Sequence, residues 1–368
     1  MPFRLPAADP LGFVAAETSK SGELAAATKY CATTRTALLV SSKKAVTKIA
    51  EISQAQNGPP TIIDTKHWRQ RRATVDEPTE AHFGLTVFDI DKWCTDKLER
   101  SGATAILTPS FFVGGIDWPA LQALLTATTN ITSPEVITFI PTDADMLADR
   151  HRTQFLDQLS ATPPRRFAFL FAAKTPPLAE PDRLRGLREL LHRFPGSWII
   201  AVDVLSGTDA LTHGAGWVGV GASSSLRLPQ RPGDTSGPPS KGYLPGLFLR
   251  ELLETRSPTI YGDWYANSPS PHCDTCDRAL DVFDTDPADK QRIVEHNLHA
   301  IHDFTAEIRD QPPAERAAWL HQTRVDAFLA HGTLTSGGSV IKAEDTLRYL
   351  CEIDDPRRRR TRANGHWS

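Results

Sequence analysis

The chain alternates short, almost unbroken apolar runs with amphipathic stretches, and this alternation limits its folds more than any other feature. A strand buried on both faces shows no polar side, so it reads as a continuous apolar run. Residues 37–41, 61–65, 104–108, 136–140, 167–171, 198–203, 217–221 and 259–263 read this way. Between them, 183–193 and 244–255 carry helical periodicity. Buried parallel strands joined by helices define the α/β class, and eight of them suggest a closed (β/α)8 barrel. The 368 residues leave room for a barrel over 36–268 and a smaller unit over 269–353. Residues 1–35, mixed and Ala/Thr-rich, read as a lead-in, and 354–368 as a basic, disordered tail.

The smaller unit carries a metal-binding pattern. Cys273-x-x-Cys276 is followed by Glu295-His296-Asn297-Leu298-His299 on a helix expected over 287–309; a second helix is expected over 313–331. Thiolates at this spacing turn around one ion, and a helical His returns as the third ligand, the donor set that suits tetrahedral Zn2+. The alternative is that Cys273 and Cys276 are ordinary buried thiols. The other three of the five cysteines suggest no disulfide framework, which points to a reducing cytoplasm. No signal peptide or bilayer-length apolar run is evident. A formal net charge of -3 excludes a globally basic nucleic-acid binder; positive charge is local, at Arg165-Arg166, Arg183/Arg185/Arg188 and Arg357 to Arg362.

Barrel chemistry gathers at the C-terminal strand ends. Here those ends carry Ser41, Asp64, His67, Ser110, Asp143, Lys174, Asp203, Ser224, Arg227 and Asp263. Carboxylates on several strands would converge on one mouth, as nucleophilic and acid–base work requires. Each Asp could equally cap the helix that follows it. The Pro/Gly/Ser-rich stretch 228–243 reads as a lid over that mouth or as a plain surface loop.

Three segments, in order, resemble the tRNA-guanine transglycosylase family, whose members (queuine and archaeosine tRNA-ribosyltransferases among them) are zinc-bearing TIM barrels. Thr61-Ile62-Ile63-Asp64-Thr65-Lys66-His67-Trp68 is similar to the family's I-L-x-N-T-Y-H-L. Ala105-Ile106-Leu107-Thr108-Pro109-Ser110-Phe111 is similar to I-L-T-D-S-G-G, and the Cys/His segment to C-x-C-x-x-C…H-N-L. The resemblance covers roughly 36–310. It implies exchange of guanine for a 7-deazaguanine in tRNA or DNA, through a covalent Asp-glycosyl intermediate, with a structural zinc. Homodimers or heterodimers are common in the family.

What the resemblance implies for individual residues is altered by departures from its pattern. The aspartate of T-D-S-G-G is Pro109, so its acid–base or base-binding role is either vacant or moved, to Asp64 or Asp143. Asp263, in Tyr261-Gly262-Asp263-Trp264, is the expected nucleophile. Another register sets Trp217–Gly221 against the nucleophile strand and leaves Gly221 in its place, which would be an inactive paralogue. The first zinc cysteine falls on Pro271, which makes His272 the fourth ligand beside Cys273, Cys276 and His296, with His299 as the substitute. Asp143, Lys174, Asp203, Ser110, Ser224 and Arg227 form the expected substrate-binding set, with the serine and Arg227 near a phosphate. The altered pocket would suit the branch that inserts 7-deazaguanines into DNA. Two other classes stay open: a non-catalytic nucleic-acid-binding paralogue or partner of an active subunit, and an unrelated barrel hydrolase using His67, Asp64 and Asp203 on a catalytic metal.

Overall fold

The fold comes from a computed structural model, which describes residues 5, 9–16, 22–55, 57–80, 89–163, 165–234, 244–279, 283, 286–355 and 357. Eight parallel strands close into a barrel in sequence order. The elements run β1 (Leu11–Ala15), α1 (Glu23–Thr34), β2 (Ala37–Ser41), α2 (Ala45–Ser53), β3 (Thr61–Asp64), α3 (Ile90–Ser101), β4 (Ala105–Leu107) and α4 (Trp118–Ala127). The second half runs β5 (Val136–Asp143), α5 (Asp149–Ser160), β6 (Phe167–Ala172), α6 (Pro181–Arg193), β7 (Trp198–Val202), α7 (Val204–Thr212) and β8 (Trp217–Gly221). Every barrel strand is buried along its whole length, which is why the runs lack polar alternation. On α6, Pro181 occupies the first turn, and Leu184, Leu187, Leu190 and Leu191 form the buried stripe.

The barrel closes through β1, which pairs with both β2 and β8. This strand and α1 lie inside the expected lead-in of 1–35, so the barrel does not begin at 36. Gly12 serves a packing need here. A Cβ on it would sit 2.0 Å from Trp217 Cζ2, and one on Gly219 would sit 2.8 Å from the same indole. Trp217 and Trp198, with ring centroids 5.3 Å apart, fill the space these glycines leave inside the barrel.

The expected eighth strand at 259–263 is a helix. After a single turn α8 (Ser224–Arg227), the chain forms a hairpin of β9 (Leu247–Leu249) and β10 (Glu254–Arg256), and then α9 (Pro258–Trp264). The Ser257 hydroxyl accepts the Ile260 amide at 3.4 Å and Pro258 sits at the first helical position, two helix-start signals that override the local apolar run. The hairpin likewise replaces the helix expected over 244–255; Leu253, with φ 51, turns the chain back between its strands.

Next comes a small hairpin, β11 (His272–Cys273) and β12 (Arg278–Ala279), and then α10 (Pro287–Asp310) and α11 (Arg316–His331). Strands β13 (Thr335–Ser336) and β14 (Ser339–Val340) and helix α12 (Asp345–Asp354) complete the described chain. Helix α10 packs on α1 and β1 and so covers the side of the barrel that the short α8 leaves bare. Helices α11 and α12 are fastened to the barrel by buried charge. Arg324 of α11, 1% exposed, meets Asp209 of α7 at 3.0 Å. Arg188 of α6 binds both Asp209 and Asp354 in bidentate fashion at 2.7–2.8 Å. Asp354 is thus the ordered end of α12 and not the start of a disordered tail; residues 358–368, most of the basic run, lie outside the described residues. Among the described residues, no helix is long and apolar enough to cross a membrane.

Candidate functional site

The C-terminal face of the barrel has a cavity of about 300 Å³, at the lower end of the range of small-molecule sites. Its charged lining and Ser224 come from four places. Asp203 follows β7, Ser224 and Arg227 follow β8, Arg256 ends β10, and Glu344 precedes α12. Phe248 of β9 supplies apolar wall.

Three residues of the expected substrate set therefore meet here: Asp203, Ser224 and Arg227. Asp203 is also the cap of α7, its Oδ1 accepting the Ser206 amide at 2.9 Å. Burial pushes its carboxyl up, and the Ser206 amide opposes that shift. Arg227 is buried, with Nη1 donating to the Gly221 carbonyl at 3.0 Å at the end of β8.

The remaining expected residues are placed elsewhere. Asp64 is buried, and its carboxylate accepts Ser41 Oγ at 2.6 Å, the Lys66 amide at 2.8 Å and Trp68 Nε1 at 3.1 Å. Those bonds organise the end of β3 and leave little capacity for a substrate. Asp143 is held by Arg231, with Nε to Oδ2 at 2.5 Å, and its Oδ1 accepts the Asp145 amide at 3.0 Å. Ser110 is buried against Thr108 at 2.9 Å. Lys174 is exposed, and so is Asp263 on α9; neither lines the cavity. Asp263 is thus removed from the nucleophile position, and Gly221 ends the last barrel strand.

The stretch beginning at 228 does cross the mouth. Arg69 Nη1 donates to the Gln230 carbonyl at 2.7 Å, its Nη2 to that of Asp234 at 3.0 Å, and Arg231 reaches Asp143. Residues 235–243 of that expected loop lie outside the described residues.

A second site lies behind the cavity wall. Among the described residues, the one group of three or more metal-ligating side chains is Cys273, Cys276, His296 and His299, whose donor atoms lie within 4.8 Å of one another. Cys276 Sγ is 3.5 Å from His296 Nδ1 and 3.0 Å from His299 Nε2; Cys273 Sγ is 3.8 Å from the latter. A tetrahedral ion with bonds of about 2.3 Å to sulfur and 2.0–2.1 Å to nitrogen has S···N edges of about 3.5 Å, so the residues fit a metal ion. His296 Nε2 donates to the Phe248 carbonyl at 2.9 Å, which places the ring proton there and leaves Nδ1 bare for a cation. Burial pushes His296 down to about 4 and Cys276 up to about 12, with Cys273 adding to the latter shift. Both shifts make the site costly to charge without a cation. The fourth donor is His299 and not His272. His272 lies on β11 with its side chain 48% exposed, near Asp274 at 3.5 Å and Asp277 at 3.7 Å. His299 is one turn from His296 and shares its helix face, which the sequence showed. The set His67, Asp64 and Asp203 does not form a metal cluster.

The two sites share β9. Asn297, next to His296, accepts the Phe248 amide at 2.7 Å and donates to the Gly246 carbonyl at 2.8 Å.

Three functional candidates escaped the sequence reading. Glu344 and Arg256 reach the cavity from beyond the barrel, and no local motif marks them. Glu23, at the start of α1, is 3% exposed, with its carboxyl pushed up by burial and countered by Ser223, Arg227 and Lys66. Its Oε1 has no hydrogen-bond partner among the described residues. A buried acid at a strand-to-helix junction was the available signal, hidden because β1 went unrecognised.

This is a (β/α)8 barrel with a Cys/His cluster able to hold a metal ion in its C-terminal unit. No protein-family model matches the sequence, and no curated protein is significantly similar to it.

Proposed function

We propose that the protein is a transglycosylase that exchanges guanine for a 7-deazaguanine base in tRNA or DNA, with the reaction in the C-terminal cavity and the ion a structural Zn2+. The observation that carries this reading is the meeting of Asp203, Ser224 and Arg227 in one cavity at the barrel's C-terminal face. The segments resembling the transglycosylase family also support it: Asp64 ends β3, Pro109 comes just after β4, and the Cys/His segment follows the barrel.

In this reading Asp203 replaces Asp263 as nucleophile. A nucleotide flips its base into the cavity, and the Asp203 carboxylate bonds to C1′ as the C1′–N bond breaks. The electron pair stays with the departing guanine, which takes up a proton. The incoming base gives up a proton, attacks the same carbon and displaces the carboxylate. Arg227 and Ser224 supply donors for the sugar-phosphate. Cys273, Cys276, His296 and His299 would hold zinc with no open position, so the ion would tie β11 to α10 and supply no chemistry to the reaction.

The experiment is incorporation of labelled guanine into bulk tRNA and duplex DNA by zinc-loaded protein. Label in either polymer, lost in Asp203→Asn, is the expected result. Asn keeps the α7 cap, so the variant should fold.

A specific observation favours a second reading, in which the protein binds nucleic acid without acting on it. Gly221 ends the last barrel strand, Asp143 is tied to Arg231 and Asp263 is exposed on a helix. Polymer binding by wild type and Asp203→Asn alike, with no label transferred by either, would select it.

A further inference from the structure

We propose that Glu344, contributed by the C-terminal unit, is the catalytic acid–base group of the cavity and exchanges a proton directly with the bound base. This rests on the base-exchange reading and assigns the proton which that reading leaves without a donor.

Glu344 faces Arg256 and Glu254 from β10, Asp203 from the end of β7 and His331 from α11, and Arg227 lines the same space. Tyr261 of α9 closes the cluster, its hydroxyl donating to the Glu254 carbonyl at 2.8 Å. The cations are unequally shared. Glu254, 1% exposed, makes the closest contact with Arg256 and also meets His331 Nε2 at 2.5 Å. Glu344 reaches Arg256 only at 3.4 Å. One guanidinium cannot neutralise both acids, and Glu254 holds the stronger claim. Of these two acids, Glu344 is then the one whose ionisation is less compensated, and, unlike Glu254, it lines the cavity. Its side chain stays 37% exposed, yet partial desolvation, followed by the charge of Glu254, pushes it up to about 7; Arg256 opposes this and Asp203 adds to it. A carboxyl poised near neutrality can give a proton to one base and recover it from the next.

The step balances. As the C1′–N bond to guanine breaks, the Glu344 proton moves to the departing base and leaves a carboxylate beside Arg256. The incoming 7-deazaguanine returns a proton to that carboxylate as its nitrogen bonds to C1′. No redox partner is needed.

The test is the pH dependence of labelled-guanine exchange by the full-length, zinc-loaded wild type and Glu344→Gln, with melting midpoints compared to show that both fold. The wild-type rate should fall as pH rises through about 7. Glu344→Gln should lower kcat by about 10²–10⁴-fold with little change in KM, and should lose that alkaline limb. A variant that keeps the wild-type kcat and limb overturns the proposal. If the wild type transfers no label to either polymer, the base-exchange reading fails by itself. The proton is then read from guanine binding by calorimetry. Affinity that falls above pH 7 in wild type but not in Glu344→Gln keeps Glu344 as the cavity's proton donor, and the same profile in both removes it.

Discussion

Asp209 shows how single charges join this molecule. Burial alone would raise its carboxyl, but Arg324 and Arg188 hold it well below the usual carboxylate range. A depressed carboxylate stabilises the fold above its unfolded value, near 3.8, and that contribution is lost as pH falls below it. Arg324→Ala should cost about 3–5 kcal/mol in urea unfolding, because it strands a buried charge. A loss below 1 kcal/mol would show that Arg188 alone suffices. Gly12→Ala tests packing at the same scale: its Cβ meets the Trp217 ring, and overpacking of this kind costs about 1–3 kcal/mol. At this scale the sequence was only partly legible. Asp203, Ser224 and Arg227 follow strands that unbroken apolar runs mark, so their convergence could be anticipated. Glu344 could not, since it lies 141 positions from Asp203 and only tertiary folding joins them.

Among the elements, the metal hairpin and α10 were legible because ligand spacing is local geometry. His299 was named only as the substitute, because the family pattern favoured a ligand before Cys273 and so pointed to His272. Metal analysis separates the two. Wild type should carry one zinc per chain, His272→Ala should keep it, and His299→Ala should lose most of it. Retention by His299→Ala with loss by His272→Ala would reverse the assignment. Asn297→Ala should cost about 1–3 kcal/mol on unfolding, because it leaves the buried Phe248 amide without its partner. The misread elements have a common cause. In β1 a glycine interrupts a short apolar run, and its reason is the distant Trp217. In α9 a Ser-Pro helix start outweighed an apolar run that resembles a strand. In β9 and the turn after it the apolar residues serve α10 and the cavity, so their spacing imitates a helix.

On the scale of the whole molecule, the C-terminal unit belongs to both the architecture and the proposed chemistry. Helix α10 completes the outer layer, α11 is fastened through Asp209 and α12 through Arg188, and Glu344 lines the cavity. His296 connects the metal cluster to the cavity wall through the Phe248 carbonyl. Fold class followed from the apolar runs even though one of the eight was misassigned, because barrel closure needs eight strands and the chain supplies another. The most direct test of the account is the transfer of labelled guanine to tRNA and to duplex DNA by zinc-loaded wild type and Asp203→Asn. Label in one polymer from wild type and none from Asp203→Asn is the expected result. Label from both proteins at equal rates, or from neither in both polymers, would contradict the account.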